Sequence, residues 1–289
     1  AELRGVDPQV EIFPAKDAPA CDYAECLHLY FTGVRGGRVH AKLLKPRRIE
    51  KVCPGIVQFH GYAFNSGDWF EKLPYVAAGF VVAAMDCRGQ GGLSQDPGGV
   101  AGNTLNGHII RGLADDPDQL LFRQHFLDAA QLAGLVMDMD DVDADRVGAM
   151  GGSQGGGLTL ACAALEPRIR RAAPAVPFLC DYQRVWEMDL AKHAYAELRD
   201  FFRRFDPRHQ QQEHWFTRLG YIDNQHLASR IEADVLMAVG LMDEICPPST
   251  QFAAYNRIES NKQMALYPDF GHEPMPGWND QVLSFMLAL

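Results

Sequence analysis

The chain of 289 residues is 47% hydrophobic and 22% charged, ordinary values for a globular protein with a core of good size. A net charge of -10 argues against nucleic acid or an anionic membrane surface as partner, because both select for clustered positive charge. The longest apolar run, Tyr75 to Met85, is broken by Gly79 and too short to span a bilayer.

The front, Ala1-Glu2-Leu3-Arg4, carries no signal-peptide pattern. Seven cysteines at scattered positions, with no Cys-x-x-Cys, predict free thiols in a reducing cytoplasm rather than a disulfide framework or a zinc site. Cys26 to Thr32 and Arg38 to Leu44 flank Gly33-Val34-Arg35-Gly36-Gly37 and read as an antiparallel hairpin. The alternation of the second strand predicts one wet face, which makes His28 and His40 ordinary strand residues. Gly55 to His60 is a short apolar strand ending in Gly61-Tyr62. The loop after such a strand supplies an oxyanion N–H in hydrolase sheets, here assigned to Tyr62, while His60 braces the loop.

Leu73 to Ala78 predicts a helix, and Phe80 to Met85 a strand buried in a parallel sheet. Asp86-Cys87-Arg88-Gly89-Gln90-Gly91-Gly92 follows as a turn whose Asp86 and Arg88 fix loops by charged hydrogen bonds. Residues 93 to 117, rich in Gly, Asn, Asp and Pro, form a long loop on the active-site side. Gln119 to Met139 has helical spacing, with His125 on or beside its apolar stripe as a satisfied core histidine. The acidic run Asp138 to Asp145 invites a calcium reading. It lacks the turn glycine and distal Glu of an EF-hand loop, so it predicts an acidic helix-to-strand turn.

Gly151-Gly152-Ser153-Gln154-Gly155 has the Gly-x-Ser-x-Gly form of a nucleophile elbow, between the strand Arg146 to Met150 and the apolar helix Leu158 to Leu165. The serine of such a turn is strained. The glycines two before and two after it, Gly151 and Gly155, lie where a Cβ would clash. The turn aims the Gln154 N–H, at the positive end of the next helix, toward a developing oxyanion. The rival, a phosphate-cradling turn, lacks the Lys-Ser/Thr of a P-loop and any Gly-x-Gly-x-x-Gly.

Ile169 to Pro177 predicts a further strand. Residues 181–230, crowded with charge and aromatics, predict two or three helices inserted between strands, either a cap or an oligomer contact. Asp234 to Gly240 and Gln263 to Pro268 are strands, and Gln281 to Leu289 closes as a helix. The succession is that of an α/β fold, a mostly parallel sheet covered on both faces by helices, with N-terminal antiparallel strands and a helical insertion, as one domain over 1–289.

A serine hydroxyl needs a base, and the base a carboxylate to hold its tautomer. Hydrolases with this elbow order the three as Ser, acid, His. His272 alone of ten histidines follows the elbow and two further strands. Asp243 stands just beyond the strand 234–240, ahead of its rivals Glu244 and Asp269. Ser153, Asp243 and His272 therefore form the expected triad for hydrolysis of an ester through an acyl-enzyme, with Tyr62 and Gln154 as oxyanion donors and no metal or cofactor required.

Arg88-Gly89-Gln90, Gly152-Ser153-Gln154-Gly155 and His272-Glu273 together resemble the signatures of the acetyl xylan esterase/cephalosporin-C deacetylase family, carbohydrate esterase family seven. The likeness extends through Phe59-His60-Gly61-Tyr62 and Ile245-Cys246-Pro247-Pro248, and covers nearly the whole chain. It implies an α/β-hydrolase that removes acetyl groups from short acetylated sugars and often from cephalosporin C. The same catalytic and oxyanion residues are implied, with Arg88, Gln90 and Glu273 supporting the site. So is an intracellular hexamer of paired trimers, with residues 181–230 as the contact region. The tail Pro274-Met275-Pro276-Gly277-Trp278 departs from the family pattern. Another acyl hydrolase, such as a thioesterase or peptidase, and a non-catalytic binding protein on the same fold are the alternatives. The second would be expected to have lost a triad member.

Overall fold

The computed structural model of the chain describes residues 2–49 and 51–289, leaving outside it Ala1 of the front segment and the Arg4 side chain. Nine strands form one sheet: β1 Glu11–Pro14, β2 Ala24–Thr32, β3 Arg38–Pro46, β4 Cys53–Phe59, β5 Val81–Met85, β6 Val142–Gly152, β7 Arg171–Ala175, β8 Asp234–Gly240 and β9 Lys262–Tyr267. Their order is β1-β2-β3-β5-β4-β6-β7-β8-β9. From β5 to β9 the pairing is parallel, and β1, β2 and β3 add on antiparallel.

The parallel strands are apolar because helices cover both faces. All five residues of β5 are buried. The helices are α1 Leu73–Ala77, α2 Leu121–Met137, α3 Gln154–Leu165, α4 Tyr182–Glu187, α5 Ala196–Phe205, α6 Gln212–Leu219, α7 Pro248–Tyr255 and α8 Trp278–Leu287. On one face α2 and α3 pack over Val57, Ala83, Ala149 and Ala172. On the other, α1 and α8 pack over Leu44, Ile56, Val82 and Ala173. The alternation of these residues along each strand is the period of two that sends neighbours to opposite layers. Each large apolar side chain fully buried there contributes roughly 1.5–3 kcal/mol.

Register places the chemistry. Phe59 of β4 stands beside Gly151 of β6, Gly152 beside Ala175 of β7, and Gly240 of β8 beside Tyr267 of β9. The carboxyl ends of these strands therefore line up along one edge, where open α/β sheets collect their functional loops.

Three expectations need correction. The second hairpin strand has no wet face: β3 lies between β2 and β5, Val39, Ala41 and Leu43 face the core, and His40 is fully buried beneath the loop after β5. The acidic run is a turn only as far as Asp141. Val142–Asp145 already belong to β6, which a register shift between Cys53 and Gly55 allows to run past the acidic residues. His125 is only half satisfied, its Nε2 donating to the Arg88 carbonyl at 3.0 Å while its buried Nδ1 has no partner among the described residues. Edge strand β1, too short and exposed to leave a pattern, was not expected. Residues 181–230 hold the three helices α4 to α6, with short 3-10 turns between and after them.

Candidate active site

The elbow sits between β6 and α3. Ser153 has φ 58° and ψ −120°, a backbone conformation that a non-glycine residue holds only when its surroundings over-determine it. They do so here. The Ser153 N–H donates to Ala175 O at 2.9 Å, and its carbonyl accepts from Gly157 N–H at 3.0 Å and Phe178 N–H at 2.9 Å. A Cβ on Gly151 would come within 2.6 Å of Phe59 O and Gly155 O, and one on Gly155 within 2.0 Å of Phe59 O. Glycine at these two positions lets the turn press against β4. Gly152 meets no such crowding.

His272, in the loop after β9, bridges the other two residues. Its Nε2 lies 2.9 Å from Ser153 Oγ and its Nδ1 2.8 Å from Asp243 Oδ2. An ionised carboxylate only accepts, so Nδ1 carries the proton and Nε2 is left free to accept the serine hydroxyl's. The Asp243 side chain is fully buried, and that of His272 keeps 18% exposure. Asp243 is oriented by the N–H groups of Ile245 at 2.9 Å and Cys246 at 2.8 Å on Oδ1, with Gln251 Nε2 at 3.4 Å from Oδ2. The rivals Glu244 and Asp269 make neither contact.

The remaining sequence-derived residues surround this line. Gln90 and Gln154 pair their amides reciprocally at 2.7 and 2.9 Å, and Gln90 Oε1 also accepts the Ala63 N–H at 3.0 Å. The elbow is thereby tied to the loop that carries Tyr62. His60 donates from Nδ1 to Gly61 O at 2.7 Å and accepts the Cys87 N–H on Nε2 at 3.0 Å, the bracing expected of it. Burial pushes its pKa down, which keeps it neutral for both bonds. Arg88 and Asp86 do fix loops, but not with each other. Arg88 forms a bidentate pair with buried Asp128 of α2, and Asp86 binds His40 together with the N–H groups of Ser66 and Leu93. Burial raises Asp128 to about 6 against the pull of Arg88. Glu273 accepts the Gly271 N–H at 2.9 Å and shapes the turn before it.

Two groups make contacts at the site that their sequence context does not announce. Cys246 places its thiol beside Asp243 and Ser153, and burial pushes that thiol well above its usual pKa. Asp243, Cys246 and His272 bring three donor atoms within 4.8 Å of one another, a set that could hold a cation. A thiol kept protonated by its surroundings is a poor ligand, and the His272–Asp243 bond already uses the others. Glu197 of α5 is the second; a lone glutamate on an amphipathic helix leaves no signal in sequence.

A serine hydroxyl, an imidazole and a buried carboxylate in line can carry out acyl transfer. The family model for acetyl xylan esterase (AXE1) matches residues 1–289. The chain belongs to the acetyl xylan esterase family. Its site is that of a serine hydrolase on the α/β-hydrolase fold. Acetyl xylan esterase 1 from Thermoanaerobacterium sp. JW/SL YS485 is 62% identical, with a TM-score of 0.95 over 99% of this chain and 90% of that one. The acetyl xylan esterase from Paenibacillus sp. R4 is 35% identical, with a TM-score of 0.92 over the same shares. Acetyl esterase Axe7A of Xylanibacter ruminicola is 28% identical over 163 residues, 56% of this chain and about a third (35%) of that protein's length. Other solved structures, an esterase and three peptidases among them, share the fold alone, at 13–18% identity and TM-scores of 0.61–0.67.

Proposed function

We propose that the protein removes acetyl groups from short acetylated xylo-oligosaccharides, with Ser153 as nucleophile, His272 as general base and then acid, and Asp243 as the group that orients it. The observation that carries this is the line Ser153 Oγ–His272–Asp243, with both distances below 3 Å. Ser153 Oγ attacks the acetyl carbonyl carbon as its proton passes to His272 Nε2. The Tyr62 and Gln154 N–H groups receive the oxyanion; the first has no protein acceptor among the described residues, and the second opens α3, where no preceding turn can accept it. Each is worth roughly 3–4 kcal/mol in such sites. His272 returns the proton to the sugar oxygen as the acyl bond breaks. Water, deprotonated by the same imidazole, then attacks the acetyl carbon, and His272 returns that proton to Ser153 Oγ as the acyl bond breaks and acetate leaves.

The acetyl ester of cephalosporin C presents the same bond on another alcohol, and the sequence resemblance supports it as a second substrate. The resemblance also supports a homohexamer in the cytoplasm, with residues 181–230 as the contact region. Phe205 and Tyr221, 67% and 57% exposed on that segment, are compatible with a covered surface. Seven cysteines without a disulfide suit a reducing compartment. Acetate release from acetylated xylo-oligosaccharides, polymeric xylan and cephalosporin C, with p-nitrophenyl esters of rising chain length, tests the reading. Activity that grows beyond short acyl groups would overturn it, and a solution mass of one chain would overturn the assembly.

A further inference from the structure

Tyr62 has two ends. Its backbone N–H, the oxyanion donor of the reading above, has no protein acceptor among the described residues, and its ring lies between Phe122 of α2 at 6.5 Å and Phe178, edge-on to Phe178 at 5.6 Å and to His108 at 5.1 Å. At the ring's tip the phenol donates to Glu197 Oε1, while Glu197 Oε2 accepts the N–H groups of Ile109 at 2.8 Å and Ile110 at 3.0 Å. Glu197 is 6% exposed. One buried carboxylate therefore joins three segments far apart in the chain: the loop after β4, the long loop after β5, and α5 within residues 181–230. Burial, and then Glu197 itself, push the Tyr62 phenol up, so it stays a donor.

The peptide between these contacts is strained. Ala63, immediately after Tyr62, has φ +62°, the left-handed region that alanine avoids. The Ala63 N–H is held by Gln90, and the Gly61 carbonyl on the other side of Tyr62 accepts from His60 and from the Phe64 N–H; the Tyr62 side chain is the attachment that reaches out of this turn. A conformation costing of order 1–3 kcal/mol persists only while such attachments hold.

We propose that Glu197 is a positioning residue for the reaction: through the Tyr62 phenol it sets where the Tyr62 N–H points, and so makes oxyanion stabilisation depend on the helices of residues 181–230. The inference rests on the serine-esterase reading above. It does not require Glu197 to touch substrate.

The experiment compares Tyr62→Phe, Glu197→Gln and the double variant in the full-length protein, with Ser153→Ala alongside. A donor removed outright costs about a hundredfold to a thousandfold in kcat, so a donor displaced is expected to cost about tenfold to a hundredfold. KM for a p-nitrophenyl acetate substrate stays within about twofold, because the bond matters in the transition state. Affinity for an alkylboronic acid, which becomes a tetrahedral anion on the serine, falls by the same factor as kcat. The double variant is no slower than the worse single, since with the phenol gone Glu197 has no route left to Tyr62. A merely structural strut would lower Tm and leave kcat and boronate affinity of the folded protein unchanged, and that result overturns the proposal. Losses that multiply in the double variant also overturn it. Should Glu197→Gln fail to fold, Tyr62→Phe decides alone, because it breaks the same bond with the carboxylate in place. Retained hydrolysis in Ser153→Ala overturns both readings. Its loss, with Tyr62→Phe unimpaired, overturns this one only.

Discussion

Two buried aspartates among the described residues each hold a histidine, and only one of those imidazoles has a serine at its far nitrogen. At the carboxyl edge of the parallel strands, Asp243 holds His272 at 2.8 Å. Beneath the antiparallel edge, Asp86 holds His40 Nδ1 at 2.6 Å. What lies at the far nitrogen separates them. His272 Nε2 meets the Ser153 hydroxyl, whereas His40 Nε2 meets His28 Nδ1 at 2.8 Å, and His28 Nε2 ends on Asp17 at 2.8 Å. Three contacts among these four groups need three protons, one more than two neutral imidazoles supply. The second couple is thus a closed polar chain that ties loops together, and the first is open at the one point where a substrate enters. An oriented imidazole is not in itself a catalytic device; a hydroxyl within reach and a strained turn to present it are what make it one.

Breaking the first couple should cost rate, and breaking the second should cost stability. The largest effect is expected for Ser153→Ala, which should lower kcat on acetyl esters by about a millionfold. Thermal unfolding should stay near that of the parent, since the change relieves a strained residue of only one hydrogen bond. A fall of less than a hundredfold would mean that another group attacks the ester. Asp243→Asn comes next. It keeps the shape of the carboxylate but lets His272 adopt the wrong tautomer, for a loss of about ten-thousandfold in kcat. Measured kcat within tenfold of the parent would show that His272 is oriented without Asp243.

His40→Ala tests the other couple. It leaves Asp86 buried without its ring partner, at a cost of about 3–5 kcal/mol in a urea unfolding experiment. The kcat of the protein that remains folded should change by no more than a few-fold, because Asp86 retains its bonds to the Ser66 and Leu93 N–H groups. If kcat collapses while stability holds, the two couples are coupled in function and the contrast drawn above fails.

How far these roles could be read from sequence differs between the couples for a physical reason. The elbow announces itself because the backbone at Ser153 excludes a Cβ at Gly151 and Gly155, so geometry writes itself into residue type. Asp243 and His272 are legible because each follows a short apolar strand whose end is marked by a change of composition. The buried chain through His28 and His40 leaves no such mark. Alternating residues on β3 look the same whether a face meets water or meets polar groups under a loop, and only the placement of Asp86 decides which. Glu197 is hidden likewise. Its helix has the amphipathic pattern of a surface element, and the long loop that buries it comes from about 90 residues earlier in the chain. Sequence periodicity reports a half-buried element well, and says little about what covers its polar half.

The smallest effect expected is also the one that separates the couples by pH. Asp86 is buried, which alone would raise its carboxyl, but hydrogen bonds from His40 and from the Leu93 and Ser66 N–H groups more than offset this and hold it at about 2. In the unfolded chain the same carboxyl titrates near 3.8. A group whose folded pKa is depressed contributes stability that is fully present above the unfolded value and is lost as pH falls through the folded one. The difference corresponds to about 2 kcal/mol, withdrawn between roughly pH 4 and pH 2. Asp86→Asn cannot lose what it never had. Its urea midpoint should therefore lie below that of the parent at pH 5, with the gap narrowing steadily as the buffer is taken toward pH 3. A gap that stays constant across that range would mean that Asp86 gains nothing from its charge, and that the polar chain beneath the antiparallel edge is held by shape rather than by ionisation.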